Sequence, residues 1–279
     1  MNSENKLNNE KEENNNPIIK KNQFENLKSN FIFKRIFTYL HKRKLLEIIK
    51  YNKKMQKKLN ININNYKEAM KIYSSIEVEI IPIENKYDFF IITDYEDERY
   101  YHIYFNNNKQ EMKRTYLKKS DKISNIKIKI DYQIISLNKL FSNIKCIKSI
   151  NFKKFYRNNI INMSRIFYKC SSLKELNLSN FNTDHVTNMS YMFYECSSLT
   201  MLNLSNFNIS HVTNMNYMFY GCSSLKELNI SNFNLKNVIN MKSMFYGCSK
   251  ELINKIKTKF KHIKECAFID FFVDENTFY

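Results

Sequence analysis

The feature that most constrains this chain is a period of 26 residues. Cys170, Cys196, Cys222 and Cys248 are spaced by it, and so are Asn162, Asn188, Asn214 and Asn240, each followed by Met. Written beneath one another, the units read Cys-x-x-Leu-x-x-Leu-x-Leu/Ile-x-x-Phe, a polar turn, then Val-x-x-Met-x-x-Met-Phe. The unit that starts at Cys170 supplies Leu173, Leu176, Leu178 and Phe181, then Val186, Met189, Met192 and Phe193. Two shorter periods run inside each unit. Leu176 and Leu178 alternate with Asn177 and Ser179, which predicts a short strand with leucines inward and polar residues outward. Val186, Met189, Met192 and Phe193 fall at helical spacing, which predicts a helical turn returning apolar side chains to the same core. One unit cannot bury its own apolar face, so about three or more must stack and the ends must be sealed.

The template extends backwards. Ile144, Ile147, Ile150, Phe152 and Phe155 occupy the Cys, Leu, Leu, Leu and Phe positions, with Ile160 and Met163 behind them; Ile134, Leu137, Leu140 and Phe141 match the second half alone. The predicted fold class is therefore an α/β repeat over 134–250, preceded by other segments. Residues 1–25 are rich in Asn, Lys and Glu and read as a disordered polar arm. Residues 27–75 read as helical, from Phe33, Ile36, Phe37 and Leu40 and then Leu45, Leu46, Ile48, Ile49 and Met55. Residues 76–131 read as a small antiparallel β subdomain acting as the N-terminal cap, with strand-like runs at 78–83, 88–95, 100–105, 112–117 and 126–130 and a hairpin turn at Asn106 to Lys109. Pro82 predicts an edge position for the first run. Residues 251–279 read as a C-terminal capping helix and tail, with Leu252, Ile253, Ile256, Phe260 and Ile263 on one face.

Composition narrows the function classes. The chain of 279 residues has only 2 Gly, so sites built on glycine-rich phosphate loops are not expected. Its formal net charge of +18 would suit a nucleic-acid or anionic-membrane surface. The abundance of Asn, Lys, Ile, Tyr and Phe is also what A/T-rich codons supply, and nucleic acid is not the expected partner on that reading. The basic run from Lys34 to Lys58 keeps binding through the N-terminal helices as a second alternative. Neither a secretory signal nor a stretch of about 18 apolar residues is seen, so a cytoplasmic location is expected and the six cysteines are expected as thiols.

The strings CSSLKELNLSNFNTDHVTNMSYMFYECSSL and CSSLKELNISNFNLKNVINMKSMFYGCS closely resemble the 26-residue repeat of the BspA-like leucine-rich-repeat family, named for bacterial surface proteins. The resemblance covers about 134–250. It implies a short leucine-rich-repeat solenoid and a role in adhesion or protein recognition, with no common catalytic residues. A second segment, SNFIFKRIFTYLHKRKLLEIIKYNKKMQKKL, resembles an F-box. That likeness implies a Skp1-like partner subunit held by Ile36, Phe37, Leu40 and Leu45, as in a substrate adaptor of a ubiquitin ligase.

The repeat cysteines occupy the first inward position of each unit and lack the paired spacing of zinc ligands, so they predict a buried thiol column. His185 and His211 are one period apart in a polar turn and read as solvated. Neither a catalytic set nor a metal set is recognisable, and no cofactor is expected. The candidate partner-binding residues are the outward positions of the predicted strands: Glu175, Met201 and Glu227; Asn177, Asn203 and Asn229; Ser179, Ser205 and Ser231. The Asn column could also bond along the stack, as amide ladders do in other stacked sheets. The expected function is a non-enzymatic protein-protein interaction module using this face.

Overall fold

A computed structural model describes residues 50–59, 64, 67, 70–260 and 263–270. The chain divides into two units, Met1–Lys67 and Glu68–Tyr279. In the first unit helix α1 spans Lys53–Leu59, and its start is capped by Asn52, whose Oδ1 accepts from Met55 N at 3.0 Å. The F-box-like residues Ile36, Phe37, Leu40 and Leu45 and the expected polar arm lie outside the described residues.

The second unit holds strands β1 (Ile76–Pro82), β2 (Tyr101–Phe105), β3 (Ile126–Ile130), β4 (Ile147–Lys154), β5 (Glu175–Asn177), β6 (Met201–Asn203) and β7 (Glu227–Asn229), and helix α2 (Lys250–Lys259). Strands β1 to β5 form one mixed sheet in the order β2-β3-β1-β4-β5, while β6 and β7 form a separate pair. The β2–β3, β3–β1 and β1–β4 pairings are antiparallel and β4–β5 is parallel. In β3 the alternation Ile126, Ile128, Ile130 against Lys127 and Lys129 puts every isoleucine in the core and every lysine in solvent, as period two requires of a sheet covered on one face.

The α/β solenoid expected from the repeat is not what the chain forms. Its described residues are sheet and turn with few helices, and the repeat strands are divided between the mixed sheet and the separate pair rather than continuing as one solenoid sheet. The segments expected to be helical turns carry no helix. Their residues bond between units instead: Met189 N donates to Asn214 O, Tyr191 N to Asn216 O, Phe193 N to Met218 O and Glu195 N to Tyr220 O, at 2.7–2.9 Å, with equivalent bonds in the other units. This pairing needs the backbone to reverse hand at two sites per unit. One is Lys139, Arg165, Tyr191, Tyr217 and Ser243; the other is Asn143, Lys169, Glu195, Gly221 and Gly247; all have φ between 49° and 74°. A right-handed helix has no such residue. Each left-handed residue without glycine costs about 1–2 kcal/mol, offset here by bonds to the next unit and by what that turn buries.

What it buries is an aromatic and thiol column. Phe141, Phe167, Phe193, Phe219, Phe245 and Phe268 stack with centroids 5.4–5.8 Å apart. Beside them Cys170, Cys196, Cys222 and Cys248 are buried, and each Sγ donates to the carbonyl of the phenylalanine 29 residues earlier, at 2.8–3.2 Å. Parallel bridges link Ser136, Asn162, Asn188, Asn214 and Asn240 on a further side of the units.

Three further expectations are corrected. Pro82 is not on an edge strand: β1 lies between β3 and β4, and Pro82 sits at its end opposite Ile147, where the register shifts. Such an irregularity is where an inner strand tolerates a missing N–H. The runs at 88–95 and 112–117 are not strands: a single bridge, Phe89 to Tyr116, joins them to each other, another ties Met112 to Ile103, and Ile92 N donates to Leu140 O. The turn at Asn106 and Asn107 is left-handed as expected, with φ of 51° and 59°, and the chain folds back antiparallel across it through the single Ile103–Met112 bridge; what is corrected is the ladder, which β2 forms with β3.

At the far end, Ser249 caps α2 by accepting from Leu252 N, and Leu252 and Ile256 are buried. A short 3-10 turn, Glu265–Ala267, covers the open backbone of the last unit: Ser243 N donates to Cys266 O and Phe245 N to Ala267 O, both at 2.8 Å. One apolar core runs from Ile76 to Ala267.

Candidate interaction face

The strand leucines decide which side of each unit is free. Leu202 is buried and Leu176 and Leu228 are packed against the core, so their neighbours in each three-residue strand point the other way. Glu175, Asn177, Met201, Asn203, Glu227 and Asn229 are all exposed, as are Ser179 and Ser231, while Ser205 is half-buried. Ser149 stands opposite Glu175, Asn151 opposite Asn177, Met201 opposite Glu227 and Asn203 opposite Asn229. Directly opposed residues share a sheet face.

The Asn column does not bond along the stack in the way an amide ladder would. Asn177, Asn203 and Asn229 turn their Oδ1 atoms onto the N–H two residues ahead, at Ser179, Ser205 and Ser231, over 3.0–3.2 Å. These local turns end each strand and fix the serine column. Bonds between units come from the residue after each serine. Asn180 Nδ2 reaches the carbonyls of Phe152 and Lys153, Asn206 Nδ2 those of Leu178, Ser179 and Phe181, and Asn232 Nδ2 that of Ser205.

The face also extends beyond the repeat. Tyr104, Lys127, Glu79, Asn151 and Asn177 form one row across β2, β3, β1, β4 and β5, and Ile81, Ser149 and Glu175 form another. Ion pairs hold the junction: Lys153 Nζ lies 3.0 Å from Glu79 Oε2, and Lys154 Nζ 3.2 Å from Glu77 Oε1. The Lys153 bond holds the Glu79 carboxyl below its usual range, against the opposing effect of burial, with help from Asn125. A column at the 26-residue period borders the repeat part of the face: Lys148, Lys174 and Lys226 are exposed, with Thr200 in the place between Lys174 and Lys226. These extensions could not be read from the repeat alone, although the lysine spacing was visible in the sequence.

Burial pushes the Cys170 and Cys248 thiols up to about 12 and moves Cys196 and Cys222 upward as well. Thiols held protonated in this way are poor nucleophiles and poor ligands. His185 and His211 are exposed and their rings stack 6.0 Å apart. Among the described residues, no group of three or more His, Cys, Asp or Glu is placed to hold a metal ion, and no helix is long and apolar enough to cross a membrane.

Residues 135–259 match a family described as Mycoplasma protein of unknown function, DUF285. The match spans the stacked units and α2, and the family description carries no activity. No curated protein and no solved structure matches the chain.

Proposed function

We propose that this protein is a non-enzymatic interaction module that holds a protein partner against the outward strand face. The observation that carries this reading is Met201, 62% exposed, at the middle of a column flanked by Glu175 and Glu227. An exposed apolar side chain ringed by charged and amide groups has the composition of an interface centre with a polar rim. Backing from the continuous core makes the face rigid, which lowers the ordering cost of binding. The partner is met in the cytoplasm, a reading supported by six cysteines that are all unpaired, as a reducing compartment keeps them.

A triple variant, Glu175→Arg, Asn203→Arg and Glu227→Arg, changes only exposed positions and retains the fold by circular dichroism. In quantitative affinity capture from the native cell it loses the partners recovered with the unaltered chain. An unchanged set of partners overturns the assignment to this face.

A further inference from the structure

A second surface of the stacked units is free of charged side chains at its centre. The parallel bridges through Ser136, Asn162, Asn188, Asn214 and Asn240 place the preceding residues, Ile135, Ile161, Thr187, Thr213 and Ile239, in one exposed β-branched column. Ile135 is 56% exposed, Ile161 53% and Ile239 68%. Two residues earlier in each unit stand Gln133, two asparagines and the stacked His185–His211 pair. None of these fifteen positions in three columns over five units is Lys, Arg, Asp or Glu, in a chain whose formal net charge is +18 with His neutral. Charge enters at the last unit, where Lys264 Nζ rests 3.4 Å from Ile239 O. The strip is also tied along its length, because Thr213 N donates to Thr187 O and Thr187 N to Ile161 O, each at 3.0 Å.

We propose that the occupant of this strip is a second copy of the chain, docked about a two-fold axis. Two like-charged copies repel over most of their surfaces, and here they can approach without setting lysine against lysine. The partner must also match a flat row of β-branched side chains repeating at the sheet spacing of about 4.8 Å, and an identical copy has that repeat by construction. A two-fold axis through the middle unit sets Ile135 against Ile239, Ile161 against Thr213 and Thr187 against its own counterpart, so methyl groups meet along the whole column. Self-complementarity of this kind is what an isologous contact requires. An acidic partner would choose the lysine column, and an anionic membrane needs basic residues that the strip lacks.

The test is sedimentation of the full chain from about 5 to about 500 µM, the range for a contact narrower than a standard interface. The unaltered protein shifts to dimer mass with concentration, and the dimer fraction rises with added NaCl as the mutual repulsion is screened. The double variant Ile161→Lys and Ile239→Lys stays monomeric throughout, and Thr187→Arg, a single exposed change that guards against misfolding of the first, does the same. Glu96→Lys, with the same gain in charge at an exposed site away from the strip, dimerises like the unaltered chain. A monomer at every concentration overturns the proposal, as does a dimer that survives the strip variants. A dimer abolished instead by the Glu175, Asn203 and Glu227 triple variant overturns it too, and assigns self-association to the strand face.

Discussion

Strands β1 to β3 and the stacked units solve the same burial problem with different backbones. The first region uses long antiparallel ladders in which alternation alone sorts isoleucine from lysine, as in β3. The second has strands of only three residues and returns through turns whose bonds run to the neighbouring unit. In the ladder, each residue's conformation is ordinary and the pairing is local to a sheet. In the stack, two left-handed residues per unit are tolerated because the next unit completes their bonds. The difference teaches that the stack is cooperative along its axis: remove one unit's side chains and both neighbours lose partners.

Alkaline titration has the largest expected effect, and it bears on the stack through its buried thiols. The thiols of the stack are protonated in the folded chain, Cys170 and Cys248 up to about 12, while unfolded thiols ionise near 9. A raised folded value means that the stabilisation is complete below about pH 9 and is lost as pH rises from there towards 12. The loss is about 1.4 kcal/mol per thiol for each pH unit in that window. Calorimetry between pH 8 and pH 10.5 should show a steep fall in Tm, and the double variant Cys196→Ala and Cys222→Ala a shallower one. Equal slopes would mean that the thiol column does not control alkaline stability.

Phe193→Ala comes next. Its ring is fully buried between Phe167 and Phe219, and truncation should cost about 3–5 kcal/mol in urea unfolding. Because one core joins the stack to β1–β3, both regions should still unfold in a single transition; two resolved transitions would break the comparison by making them independent.

Gly221→Ala probes the left-handed sites directly. Gly221 has φ +67°, and an added Cβ would lie 3.0 Å from Glu195 Cγ. The expected loss is about 1–2 kcal/mol. In a Glu195→Ala background the steric part disappears and the backbone part stays, so a double-mutant cycle that shows no coupling would remove the contact from the account.

The smallest effect is at the strand ends. Asn177→Ala removes the bond to Ser179 N on the exposed face and should cost about 0.5–1.5 kcal/mol. A loss several times larger would mean that the amide acts along the stack after all.

Much of the core was legible before any coordinates. The inward column of Cys170, Leu173, Leu176, Leu178 and Phe181 and its copies follows from counting, since only a stacked repeat keeps such positions apolar at a fixed period; all of these five are buried except Leu176, which is half-buried against the core. The nine candidate positions of the outward face also follow from alternation, and eight of them are exposed. The helical half was misread because Val186, Met189, Met192 and Phe193 have a spacing that a helix shares with a chain of turns closing every three or four residues. Sequence spacing records which side chains face the core and is silent about the sign of φ. The runs at 88–95 and 112–117 were misread for a related reason: β-branched and aromatic composition marks half-buried segments, and these are half-buried without a ladder.

The sequence by itself determined the 26-residue register, the identity of the buried column and the excess of positive charge, because each is a property of residue order and type. Tertiary structure alone decided that the return segment pairs with its neighbour instead of coiling on itself. It also decided that β1 joins β4 to carry the outward face into the antiparallel strands, and that the uncharged positions of five units line up as one strip. The physical reason is common to all three. A backbone hydrogen bond can be satisfied within a segment or between segments at nearly the same gain, and the choice is settled by which arrangement also closes the core.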